Sequence, residues 1–196
     1  MTDVAAAAEA IRAGELVVYP TETVYGLGAD ALDADAVEAV FAAKGRDRDD
    51  PLSLAVPDVG AAERYTRQSD RTRAFMERFL PGPVTVVCPK ADTVPDALTG
   101  GRDRVGIRVP DHETALDLLA EAAPITATSA NVSGRASAER VADLDPEIRA
   151  AAAVVLDGSE TPGGGSTVVD PERGVIHRPG ARVEAVREWL ASTGTS

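Results

Sequence analysis

Four short apolar runs, Leu16 to Tyr19, Leu52 to Val56, Val84 to Cys88 and Val105 to Val109, punctuate the chain as far as Pro110. Runs of this length, rich in β-branched residues, have the dimensions of buried strands, and helical spacings lie among them. Such a chain buries both kinds of apolar surface by laying helices on a sheet. Val37, Val40 and Phe41 share one face of a helix that runs into Lys44, behind an N-cap at Asp33 or Asp35. Phe75/Phe79 and Met76/Leu80 pair at i,i+4 on another, which Pro81-Gly82-Pro83 stops. Ahead of these, Val4, Ala8 and Ile11 predict an opening helix ended at Gly14. Beyond them come a helix at Leu116/Leu119, a buried strand from Pro124 to Ala127, and short strands at Ala153 to Leu156, Thr167 to Val169 and Val175 to His177. A last helix carries Val183, Val186, Trp189 and Leu190 on one face and is expected to pack onto the sheet. The pattern predicts an α/β fold around a mixed twisted sheet. At 196 residues with 44% hydrophobic content, one domain over residues 1–196 is expected.

Composition excludes several classes of function. Cys88 is the only cysteine, so no intrachain disulfide is possible and a reducing compartment is expected; its place in an apolar run reads as core. The stretch from Met1 to Glu9 lacks the basic and apolar regions of a signal peptide, and no apolar stretch approaches a membrane span, so a soluble cytoplasmic protein without membrane contact is expected. Net charge is -12, from 32 acidic against 20 basic residues, and only Lys44 and Lys90 are lysines. A broad nucleic-acid surface needs clustered cations, which leaves room for only a weak RNA contact. Excess acid with few lysines suits a high-salt cytoplasm. Neither His112 nor His177 has metal-ligand spacing, and neither a G-x-S-x-G elbow nor a Walker pattern occurs.

Five segments carry candidate chemistry. Tyr19 to Asp30 joins a strand to a helix and gathers Thr21, Glu22, Thr23, Gly26 and Gly28, either as a polar turn or as the ligand-binding edge of a sheet. Its glycines are expected to serve the bend, and Glu22 either orients a cation such as Lys44 or faces water. The stretch from Lys44 to Leu52 balances three cations against three anions. It is either a solvated loop or a fixed Lys44/Arg46 pair suited to phosphates, held by the extended backbone that Asp50-Pro51 imposes. In Val105 to Pro110, Gly106 and Arg108 share one sheet face. Arg108 needs an anion there, a structural carboxylate or a ligand, and Gly106 leaves room for the second. Ser129, Asn131 and Ser133 form a polar turn with Ser137 downstream, and Gly163 to Ser166 is a flexible loop or a flap over a site.

Taken in order, these segments resemble the YrdC-like family of threonylcarbamoyl-AMP synthases over about residues 14–180. The similarity is carried by Pro20 to Gly28, Lys44-Gly45-Arg46 with Pro51-Leu52, Pro81 to Thr85, Val105 to Pro110, Ser129 to Arg135, Ser166 to Asp170 and Arg178-Pro179-Gly180. The resemblance implies an open, twisted mixed sheet with flanking helices and a concave cavity for ATP, L-threonine and bicarbonate. These are joined into threonylcarbamoyl-AMP and pyrophosphate, with magnesium on the phosphates, and a separate transferase complex moves the product to tRNA. It implies Thr21, Arg108 and Ala127 at the threonine, Lys44 and Arg46 as the catalytic cations on the phosphates, and Arg46, Asp50, Ser129, Asn131, Ser137, Ser166 and Arg178 around the nucleotide. It also admits a non-catalytic RNA- or ribosome-associated module on the same fold. The chain departs from the family at Ala55, where many members carry a histidine that contacts threonine, and at Asp47, usually proline.

Overall fold

The computed structural model describes residues 3–193. Helix α1 (Val4–Arg12) is capped by Asp3, whose carboxylate accepts from Ala6 N, and ends with Arg12 in its last turn, where a cation complements the helix dipole. Strand β1 (Leu16–Tyr19) follows, and the chain then returns as β2 (Gly26–Gly28), antiparallel to β1 with Tyr19 opposite Gly26. The stretch expected to be a plain strand-to-helix connection therefore contains a strand of its own. Gly-Leu-Gly has no β propensity, and the strand exists because the Tyr19 ring lies over both glycines. A Cβ on Gly26 would sit 2.8 Å from that ring, so these glycines serve a close approach rather than a bend.

Helix α2 (Ala34–Lys44) starts at the Asp33 cap and ends at Gly45, whose φ of 56° is the left-handed conformation glycine adopts without strain. Then come β3 (Ser53–Ala55), α3 (Val59–Ala62), α4 (Asp70–Phe79) and β4 (Val84–Pro89). The Gly/Asp loop holds a short α5 (Asp96–Thr99) before β5 (Arg104–Arg108), α6 (Glu113–Ala122) and β6 (Ile125–Ser129). The remainder is α7 (Pro146–Ala151), β7 (Ala152–Val155), β8 (Thr167–Asp170), β9 (Val175–Arg178) and α8 (Val183–Ser192). The strands form one open sheet in the order β7-β1-β2-β6-β3-β5-β4-β8-β9. Three pairs (β1/β7, β3/β5, β4/β8) are parallel and the others antiparallel, which is the mixed sheet expected.

Period-two alternation decides what each face carries. One face sends Val18, Leu27, Leu54, Val86 and Ile107 into the larger core with Phe41, Phe75, Met76 and Val186. Phe75 meets Trp189 edge-on at 4.9 Å between ring centroids, which docks α8 on α4. Cys88 is fully buried in this core, and burial pushes its thiol up to about 12, so it packs as an inert small hydrophobe. The opposite face sends Val17, Tyr19, Ala55 and Ile125 into a smaller core beneath α1 and α6. Those two helices cover only part of that face. Its remainder, over β3, β5, β4 and β8, is the floor of the site.

Candidate functional site

On the bare part of the sheet lies a cavity of about 1150 Å³, floored by Ser53, Thr85, Val87, Gly106 and Ala127. That exceeds the roughly 300–1,000 Å³ typical of a pocket for one small ligand. Its walls reverse the sign of the protein. Six of the 20 basic residues line it (Arg46, Arg102, Arg104, Arg108, Arg173, Arg178), against three of the 32 acids (Asp50, Asp103, Glu139). Burial, then the charges of Arg108 and Arg46, push the Arg178 pKa down. Guanidiniums that disfavour one another's charge are a site for an anion.

At one end, β1 and the loop after it deliver Tyr19, Thr21, Glu22 and Thr23, while β5 delivers Arg108. Arg108 Nη2 donates to Glu22 Oε1 at 2.9 Å and to Thr23 Oγ1 at 3.2 Å. Thr21 Oγ1 donates to Val24 O at 2.7 Å and lies 2.9 Å from Thr23 Oγ1. The anion required by Arg108 is thus Glu22, which pairs with Arg108 rather than with Lys44. Yet Arg108 also lines the cavity, and its Nε has no partner among the described residues. Gly106 does not leave open space: a Cβ there would meet Ser53 Oγ at 2.4 Å and Thr85 Cγ2 at 3.0 Å. Ala55 is 1% exposed and faces the smaller core.

At the other end, Arg46 is bound to its own loop. It donates to Asp50 O at 2.9 Å and Pro51 O at 3.2 Å and pairs with the Asp50 carboxylate at 2.9 Å. Arg46, Asp50, Ser129, Ser137, Ser166 and Arg178 all reach the cavity wall, together with Thr21, Arg108 and Ala127 from the first end. Lys44 and Asn131 do not. Lys44 is 1% exposed, and its ammonium donates to Ser129 O and, at 2.8 Å, to Asn131 O. Asn131 donates from Nδ2 to Val132 O at 2.9 Å and Arg135 O at 3.0 Å, holding the turn from within. Desolvation, then the nearby Arg46 charge, lowers Lys44 to about 8.

Arg178 Nη2 donates to Ser166 Oγ at 3.0 Å, and Ser166 Oγ lies 3.0 Å from Thr85 Oγ1. This corner depends on Gly180, where a Cβ would fall 2.4 Å from Gly165 O and 2.7 Å from Ser166 O, both backbone atoms that cannot yield. Gly180→Ala is expected to cost about 1–3 kcal/mol by overpacking and to weaken anion binding by displacing Ser166 and Arg178. A thermal melt and a titration with inorganic pyrophosphate check it; unchanged affinity would mean that the corner takes no part in anion binding.

The glycine-rich loop is tied down beside the cavity. Gly163 N donates to Thr23 O at 2.7 Å, while Tyr25 Oη donates to Ser159 O at 2.7 Å and accepts from Gly158 N at 3.1 Å. Sequence reasoning passed over Arg104, although it precedes Gly106 and Arg108 at two-residue spacing. Extending that alternation by one residue places it on the same face, where it pairs with the buried Asp170 at 2.9 Å. The pairing of Glu22 with Arg108, by contrast, had no local signal. Among the described residues no group of three His, Cys, Asp or Glu side chains could hold a metal, and no helix is long and apolar enough to cross a membrane.

A model of the Sua5_yciO_yrdC family, described as telomere recombination, matches residues 9–180. The chain is 42% identical over 179 residues to the threonylcarbamoyl-AMP synthase of Pyrococcus abyssi, covering 89% of this chain and 53% of that protein. It is 42% identical over 197 residues to the threonylcarbamoyl-AMP synthase of Bacillus subtilis, covering 93% and 56%. The crystal structure of P. abyssi Sua5 complexed with L-threonine matches with a TM-score of 0.87 at 41% identity, covering 93% of this chain and 56% of that one. The chain spans about half the length of these relatives.

Proposed function

Because this chain belongs to the Sua5/YciO/YrdC family, we propose that it joins L-threonine, bicarbonate and ATP into threonylcarbamoyl-AMP and pyrophosphate, as one cytoplasmic domain over residues 1–196. The product then passes to a separate complex that modifies tRNA. One observation carries the reading: a locally positive cavity in an acidic protein brings together Arg108, suited to a carboxylate, and Arg46, Arg178 and Ser166, suited to phosphates.

In this proposal the threonine carboxylate meets Arg108 beside Thr21 and Ala127. The triphosphate meets Arg46, Ser166 and Arg178, with Asp50 and the Ser129, Asn131 and Ser137 turn around the nucleotide. The threonine amine attacks the carbon of bicarbonate and water leaves, giving a carbamate. A carbamate oxygen then attacks the α-phosphorus, and the bond to the β-phosphate oxygen breaks to release pyrophosphate. Neither step needs a protein nucleophile; both need reactants held in line and negative charge neutralised. Lys44 serves by fixing the 129–131 backbone that Ser129 presents to the cavity. Magnesium fits this donor set as a phosphate-borne ion, since Mg²⁺ keeps several waters and takes one or two carboxylates; Asp50 is the carboxylate at the phosphate end. When bound it would neutralise charge on the phosphates.

The test is pyrophosphate release from ATP, run at low and at molar KCl. Release is expected to require both L-threonine and bicarbonate, with more activity at high salt, where the self-repulsion of an acidic surface is screened. Release independent of either substrate would overturn the reading. A second reading, a non-catalytic RNA- or ribosome-associated module, draws on Ala55 in place of a threonine contact. It requires tight binding of unmodified tRNA without affinity for ATP.

A further inference from the structure

The proposed reading places an amino-acid carboxylate on Arg108 but gives Glu22 no part, although the two side chains form one ion pair at 2.9 Å. We propose that Glu22 is a positioning residue, which holds the Arg108 guanidinium in the orientation that reads the substrate carboxylate. The inference rests on that reading of the cavity.

Both bonds that hold Arg108 come from one terminal nitrogen, Nη2, to Glu22 Oε1 and Thr23 Oγ1. This leaves Nε without a partner among the described residues, and the planar fork keeps donors to offer a second carboxylate. The pair is nearly out of water, with side chains 11% and 13% exposed, so the contact is not loosened by solvent competition as a surface pair would be. A tether is needed because Arg178 lines the same cavity, and its charge and that of Arg108 repel one another. Thr23 alone offers a neutral acceptor; Glu22 offers the only carboxylate bonded to Arg108 among the described residues. Glu22 is itself absent from the cavity wall, so its effect on a ligand passes through Arg108.

This makes the sign of the effect diagnostic. Were Glu22 only a neighbouring negative charge, its removal would strengthen binding of an anionic substrate. As the tether of Arg108, its removal weakens it. The experiment is calorimetric titration of wild type and Glu22→Gln with L-threonine, with 2,3-dihydroxybutanoate, which keeps the carboxylate and replaces the amine by a hydroxyl, and with ATP. Both acids are expected to bind about tenfold more weakly to Glu22→Gln, within the range for losing a charge-assisted contact, while ATP affinity holds. Unchanged or tighter binding of both acids overturns the proposal. Weakening confined to L-threonine also overturns it, because Glu22 would then read the amine directly. Should Glu22→Gln not fold, Glu22→Asp, which keeps the charge one methylene short of Arg108, is expected to show the same loss. If wild type binds neither acid, the functional reading fails, and NMR of the Arg108 side chain decides the inference. Its terminal N–H signals are expected to be resolved in wild type and averaged in Glu22→Gln; identical spectra overturn it.

Discussion

Arg108→Ala is expected to lower threonine- and bicarbonate-dependent pyrophosphate release by about ten- to a hundredfold, and to destabilise the protein as well. The first effect follows from losing a charge-assisted contact to substrate, worth about 1.5–3 kcal/mol. The second follows from Glu22. With its side chain 13% exposed and its partner removed, the carboxylate is left nearly buried and uncompensated, and breaking one side of a buried pair costs about 3–5 kcal/mol. In a domain of this size that lowers the melting temperature by about 10 °C. Arg108→Lys separates the two: it keeps the charge and most of the stability but loses the planar fork, so activity stays low. Paired melts and initial rates check this, and wild-type activity in Arg108→Ala would remove Arg108 from the site.

Lys44→Met is the second large effect. It replaces the ammonium by an apolar end of similar length and leaves Asn131 O in the interior without its donor, while Ser129 O keeps only the bond from Asn131 N. One unmet buried acceptor costs about 1–3 kcal/mol, and the lost charge-assisted bond to Ser129 O adds to it. Nucleotide affinity is expected to fall with them, because the backbone that presents Ser129 is no longer held. A pH series isolates the lysine. Its folded pKa, about 8, lies below the ordinary 10.5, so between those values the unfolded chain carries the proton and the folded chain does not. Keeping the buried charge is therefore a cost present below pH 8 and relieved as pH rises through the window. The stability of wild type relative to Lys44→Met should rise from pH 8 to 10.5. A difference that stays flat would mean that the amine is not desolvated as the structure has it.

These two residues also mark the limit of what the chain discloses by itself. Period-two and 3.6-residue spacings, with proline and glycine stops, located α1, α2, α4, α6, α8 and most strands, because burial of one face imposes a local repeat that needs no knowledge of the partner. The same logic placed Arg108 beside Gly106 on a single face. It did not find β2, whose glycines are held by the Tyr19 ring across the hairpin, nor α5 within its loop. Lys44 looked like a phosphate ligand because a lysine at a helix end is usually exposed. Here the turn after β6 folds over it and takes up its donors.

What the sequence determined alone was the α/β class, the acidic and single-cysteine character, and the set of motifs whose order marks the family. What only the tertiary structure decided was which of those residues face one another. Glu22 and Arg108 are 86 positions apart, and the buried Lys44 is 85 and 87 positions from the carbonyls it bonds. Glu22 meets Arg108 because the loop between β1 and β2 closes on the sheet face that carries β5, and Lys44 meets its carbonyls because α2 ends beside the turn after β6. Local periodicity reports which side of an element is buried. It carries no information on which distant charge is buried with it, and that choice is made by the packing of the whole sheet.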